Sequence, residues 1–145
     1  MSPEKSSKRA GIYEKLALKD KLESNKQRQS LLLLIEELNK NEQIKAQLTR
    51  LIDENLKEVK AQSGMALQSA SWFSTKVRDQ LELVQNRCQH LEIEIDEMRK
   101  KLAQAERRRS RKTEKADALY KQARQARQDA QDAALSERGR RLSPR

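Results

Sequence analysis

From residue 67 onward, apolar and small residues return in alternating steps of three and four: Leu67, Ala70, Ser74, Val77, Leu81, Val84, Cys88, Leu91, Ile95, Met98, Leu102 and Ala105. Arg109 and Lys112 interrupt the stripe with charge, and the same phase resumes at Ala116, Leu119, Ala123, Ala126, Ala130 and Ala133. This spacing keeps one stripe on one side of a helix and is the a/d seam of a left-handed coiled coil. Held over roughly nine heptads, it excludes most other folds, because strands need a period of two and chance patterns soon lose phase.

Composition agrees. The 145 residues are 35% hydrophobic, 37% charged and only 3% aromatic. A compact globular core needs more large apolar side chains than this. Long helices that bury a narrow stripe and solvate the rest do not. The three glycines and two prolines lie near the ends of the chain, Gly64 excepted, which argues against disorder.

The first half carries a second helix. Leu31, Leu34, Leu38, Leu48, Ile52 and Val59 fit one heptad frame, with Asn41, Lys45 and Asn55 as its polar members and Ile35, Ile44, Leu51 and Leu56 flanking it. Upstream, Ile12, Leu16, Leu18 and Leu22 suggest a helix start near residue 10, in a stretch where the heptad register drifts. Gly64 is the one internal breaker, expected to supply a left-handed cap. The expectation is an all-α fold, a long antiparallel two-helix coiled coil: helix 1 over 10–62, a bend at 63–66 and helix 2 over 67–137, with flexible ends at 1–9 and 138–145. A hairpin centred near residue 65 sets Leu38 opposite Leu91, Leu48 near Leu81 and Val84, and Arg109 close to Asp20 and Glu23. Helix 2 then outruns its partner from Lys121 to Glu137, over a seam made of alanine.

Little points to catalysis. His90 is the single histidine and Cys88 the single cysteine, and no His/Cys/Asp constellation or glycine-rich phosphate loop accompanies them. Cys88 sits in the seam and reads as a small apolar residue. The expectation is a protein that is not an enzyme and takes no cofactor or metal. The opening residues are charged with no apolar run behind them, and the aliphatic run at 31–35 is far shorter than the ~20 residues a membrane span needs. A cytoplasmic protein is expected.

The net charge of +10 is uneven: residues 105–145 hold 13 Lys/Arg against 6 Asp/Glu. Its peak is Arg107-Arg108-Arg109-Ser110-Arg111-Lys112. Consecutive residues point all around a helix, and no stacking aromatics accompany them, which argues against nucleic acid as the partner. An acidic protein surface or membrane headgroups fit the charge as well. Trp72 and Phe73, adjacent and just past the bend, cannot both enter a two-helix seam, and one reading makes them a docking knob at the tip.

The first helix ends in Leu51-Ile52-Asp53-Glu54-Asn55, a glycine-containing bend follows, and an aromatic pair opens a heptad helix that runs into a basic, Ala/Gln/Arg-rich C-terminus. In this arrangement the chain resembles the FliJ family of the flagellar type III export apparatus over nearly its whole length. The resemblance implies a stalk whose terminal end enters the hexameric flagellar export ATPase and promotes its activity, here through Lys121, Arg124, Arg127 and Arg138. It also implies contacts with the export-gate membrane protein and with substrate-specific export chaperones. Matching seam positions carries the gate contact to Leu48, Ile52, Asn55 and Val59 and to Val77, Leu81, Val84 and Cys88, although relatives place aromatics where Asn55 and Val59 stand. The implied location is the cytoplasmic face of the inner membrane at the flagellar basal body, with peripheral and indirect membrane association. Two alternatives stay open: the equivalent stalk of a virulence-type injectisome, and a basic coiled-coil adaptor unrelated to export.

Overall fold

The computed structural model describes residues 2–59 and 64–142. Two α-helices account for them, α1 over Pro3–Val59 and α2 over Gly64–Leu142, with no strand among the described residues. The chain folds as two compact units, a bend unit of Gln27–Lys101 and a terminal unit of Met1–Lys26 with Leu102–Arg145. In each, a stretch of α1 packs antiparallel to a stretch of α2. The fold is an all-α helical hairpin.

Helix α1 starts seven residues before the expected point, and its first turn explains why. Ser2 caps the helix: its Oγ accepts from the Lys5 amide at 3.3 Å and its carbonyl from the Ser6 amide at 3.1 Å. Pro3 takes the first helical position, where its missing N–H costs nothing, and Glu4 sits at the positive end of the helix dipole. Residues 3–9, expected to be flexible, are therefore helical. At the other end α2 continues to Leu142, so residues 138–142 are helical too.

The bend differs from expectation in its details. Residues 60–63, which include the end of the expected helix 1 and the start of the expected bend, lie outside the described residues. Gly64 opens α2 and no glycine has a positive φ, so the expected left-handed cap at this residue is not there.

In the bend unit the seam is aliphatic. Val77, Cys88, Leu91 and Ile95 of α2 are buried, and Leu31, Leu34, Leu38, Leu48 and Ile52 of α1 are half-buried, as the heptad frame requires. Leu91 is fully covered, and burying such a side chain contributes about 1.5–3 kcal/mol. Polar members set the register. Asn55 Nδ2 donates across to the Ala70 carbonyl at 3.0 Å, and Arg87 Nε donates to Glu37 at 3.1 Å. A hairpin centred on residue 65 would put Thr75 opposite Asn55 and Ile93 opposite Glu37. The true partners lie five or six residues closer to the bend, because α1 stops at Val59 and α2 is already helical at Gly64.

In the terminal unit the seam keeps its phase but changes its chemistry. Counting down from Leu31 in the same alternating steps passes Gln27 and reaches Ser24, Asp20, Ala17, Tyr13, Ala10 and Ser6. All of these except the half-buried Tyr13 and Gln27 are buried. Across from this stretch, α2 buries Ala105, Ala116 and Ala123. Ile12, Leu16, Leu18 and Leu22, which marked the expected helix start, are all exposed. They fall off the heptad phase, which small and polar residues occupy instead.

An ion pair stands in this seam. Lys112 Nζ donates to Asp20 Oδ2 at 2.6 Å, with the Asp20 side chain only 9% exposed. Asp20 was expected to answer Arg109; Lys112, three residues further on, meets it. Arg109 is half-buried and lines a shallow groove with Glu14, Ala17, Lys21, Thr113 and Asp117.

Candidate functional site

Two regions carry the residues singled out by the sequence, and the structure sorts them by how much of each side chain reaches solvent. At the terminal end, the start of α1 at Pro3 decides which part of α2 is paired. Ala123 is buried, and Tyr120 and Ala126 are half-buried. Tyr120 Oη donates to Glu14 Oε2 at 3.1 Å, and that carboxylate raises the phenol pKa above its ordinary value. The overhang expected from Lys121 onward begins later for this reason. Every residue from Arg127 to Leu142 is exposed, and the pairs Asp20–Lys112 and Glu14–Tyr120 set Pro3 level with about residue 130, so α2 runs on alone for roughly twelve residues or about 18 Å at 1.5 Å per residue. Lys121 and Arg124 are exposed on the flank of the paired stretch, Arg127 stands where pairing ends, and Arg138 lies out on the overhang. Arg124 and Arg127 line one shallow groove with Ser7, Asp117 and Tyr120.

At the bend end, seven of the eight residues matched to a gate contact belong to the seam itself. Val77 and Cys88 are buried, and Leu48, Ile52, Asn55, Leu81 and Val84 are half-buried. Val59 is the last residue of α1. Positions of this kind hold the two helices together and leave little surface for a third partner. Burial pushes the Cys88 thiol pKa up, and Glu42 beside it adds to the shift.

The exposed apolar surface at this end lies one position off the seam. The observed pair Glu37–Arg87 occupies matching g positions of the two helices. Advancing α1 by two heptads and receding along α2 by two brings Leu51 level with Phe73 on the same flank. Leu51 is 40% exposed and Phe73 42%, and Ile44, one heptad before Leu51, is 44% exposed. Trp72 points away from the seam at 67% exposure, with the Lys76 ammonium 5.8 Å from its ring centroid. Leu51 and Ile44 were legible as residues flanking the seam. What the sequence pattern did not give was their shared side with Phe73, which needs the true register.

The basic run divides in the same way. Arg107, Arg108 and Arg111 are exposed, while Arg109 and Lys112 turn into the seam. His90 Nε2 lies 2.9 Å from Glu94 Oε1, one turn away on an exposed face. Among the described residues, no group of three or more His, Cys, Asp or Glu is placed to hold a metal ion, and no helix is long and apolar enough to cross a membrane.

These features define a class, the antiparallel helical hairpin with one helix longer than its partner. No family model, curated protein or solved structure matches the chain.

Proposed function

We propose that the protein is a coiled-coil stalk of a type III export system, which engages the hexameric export ATPase through its terminal end and presents its bend end to the export gate and to substrate chaperones. The observation that supports this most is the single-helix overhang of α2. A stretch of helix with an alanine seam and no partner has high helix propensity and little to pack on, so it is suited to enclosure by a ring of other subunits. Its arginines, Arg127 and Arg138 above all, and the flanking Lys121 and Arg124, present basic charge for acidic pore loops.

For the gate contact the g flank with Leu51 and Phe73, together with Trp72, is a better candidate than the seam residues. Its side chains are available without opening the hairpin, and large exposed apolar groups anchor interfaces. The flagellar and the injectisome versions of this role would share every feature described.

The test is the ATP hydrolysis rate of the cognate export ATPase with and without the protein. A dose-dependent rise is expected, and a chain truncated after Arg124 should lose it while keeping the helicity per residue of the full chain. A truncated chain that stimulates fully would sink the assignment of this end. An ATPase indifferent to the full chain, with no co-migration at low salt, would leave the adaptor reading in its place.

A further inference from the structure

The face of α1 in the terminal unit that turns away from the buried seam sets exposed aliphatic side chains among lysines. Ile12, Leu18 and Leu22 are 57%, 56% and 57% exposed, and Lys15, Lys19 and Lys26 stand among them, also exposed. At 3.6 residues per turn these six side chains fall within an arc of about 120°. No acidic residue between positions 8 and 26 shares that arc. Among the described residues, none of the three lysines is held in an ion pair.

Two facts narrow what can cover such a face. The aliphatics are off the heptad phase that the hairpin uses, and they are spaced by six and four residues, so they do not continue a seam for another coiled-coil helix. Each also has a lysine within one turn. Aliphatic side chains of this kind enter the boundary between headgroups and acyl chains, while lysine stems lie along the apolar surface and return their ammonium groups to the phosphates. A protein partner would need an apolar trough lined by acids at matching spacing, whereas an anionic lipid surface supplies both properties everywhere.

We propose that this face of α1 binds directly to the surface of an anionic membrane, with Ile12, Leu18 and Leu22 seated at the headgroup boundary and Lys15, Lys19 and Lys26 on the phosphates. The proposal is independent of the stalk reading, which rests on the overhang of α2.

The experiment is sedimentation of the full chain with vesicles of phosphatidylcholine alone and of phosphatidylcholine mixed with phosphatidylglycerol, at low and at high salt. Binding is expected to the mixed vesicles at low salt, to weaken as salt screens the lysines, and to be slight on phosphatidylcholine alone. Leu18→Gln with Leu22→Gln keeps the charge and should lower binding about tenfold or more, and Lys15→Gln with Lys19→Gln should do the same while flattening the salt dependence. All four side chains face solvent, so circular dichroism should show both variants as helical as the parent. Leu83→Gln with Ile93→Gln removes the same kind of exposed aliphatic surface from α2 in the bend unit, where Glu82, Glu92 and Glu94 stand beside it, and should bind as the parent does. A parent chain that stays in the supernatant with mixed vesicles at low salt overturns the proposal. So does a Leu18/Leu22 variant that sediments like the parent, or a Leu83/Ile93 variant that loses as much binding.

Discussion

The bend unit and the terminal unit use the same heptad phase for different ends. In the bend unit, seam positions hold leucine, isoleucine, valine and cysteine, and a single side chain such as Leu91 is wholly removed from water. In the terminal unit the buried seam positions are alanine and serine with the Asp20–Lys112 ion pair set among them, and the larger Tyr13, Leu102 and Leu119 are only half-buried. Alanine buries far less apolar area than leucine, so each alanine position contributes correspondingly less. A buried pair of charges adds geometry more than stability. Phase alone therefore does not measure how firmly a coiled coil is held. The bend unit is expected to anchor the hairpin, and the terminal unit to be the part whose helices separate at lower cost.

This contrast can be broken at the strongest point first. Leu91→Ala should destabilise the protein by about 2–5 kcal/mol and lower the main thermal transition, because it opens a cavity in the aliphatic seam. If thermal melting barely moves, the bend unit is not the anchor. A smaller and more local effect is expected at the ion pair. Asp20→Ala leaves Lys112 facing the seam without its partner, and since that lysine is 28% exposed the loss should be about 1–2 kcal/mol. Amide exchange should quicken around residues 10–24 and 105–123 and stay unchanged around Leu91. Uniform quickening along the whole chain would mean that the two units do not open separately.

The smallest change should have the opposite sign. Ser24 is buried and, among the described residues, its Oγ has no hydrogen-bond partner. Ser24→Ala removes an unsatisfied hydroxyl and adds helix propensity, so it should stabilise the terminal unit by about 0.5–1 kcal/mol. Loss of stability in a urea titration would show that the hydroxyl is satisfied by water and contributes to the seam.

The same contrast explains what could be read from the amino acids. Helix α2 was legible through Ala126, because Val77, Cys88, Leu91 and Ile95 announce the seam and the alanines keep its phase. Helix α1 was legible from Leu31 onward for the same reason. Upstream of that, the seam consists of residues that do not look like a core, and Ile12, Leu16, Leu18 and Leu22 look like one without being it. A reading that follows hydrophobicity is drawn to the wrong side of the helix; one that follows phase back from Leu31 reaches Ser24 and Asp20. The cap Ser2-Pro3-Glu4 was visible in the residues as well, and would have placed the helix start. The candidate sites were less legible, since a coiled coil has no catalytic constellation to betray them and their exposure depends on a register that Asn55 and Glu37 set through contacts far along the chain.

The Ser2 cap also acts as a length setting. Where α1 begins fixes how many residues of α2 are left unaccompanied, and each residue of α1 that frays or is trimmed lengthens the bare helix by about 1.5 Å. A modification of the first turn that weakened the cap, such as a change at Ser2 or Pro3, would thus alter the reach of the far end of the chain without touching a residue there.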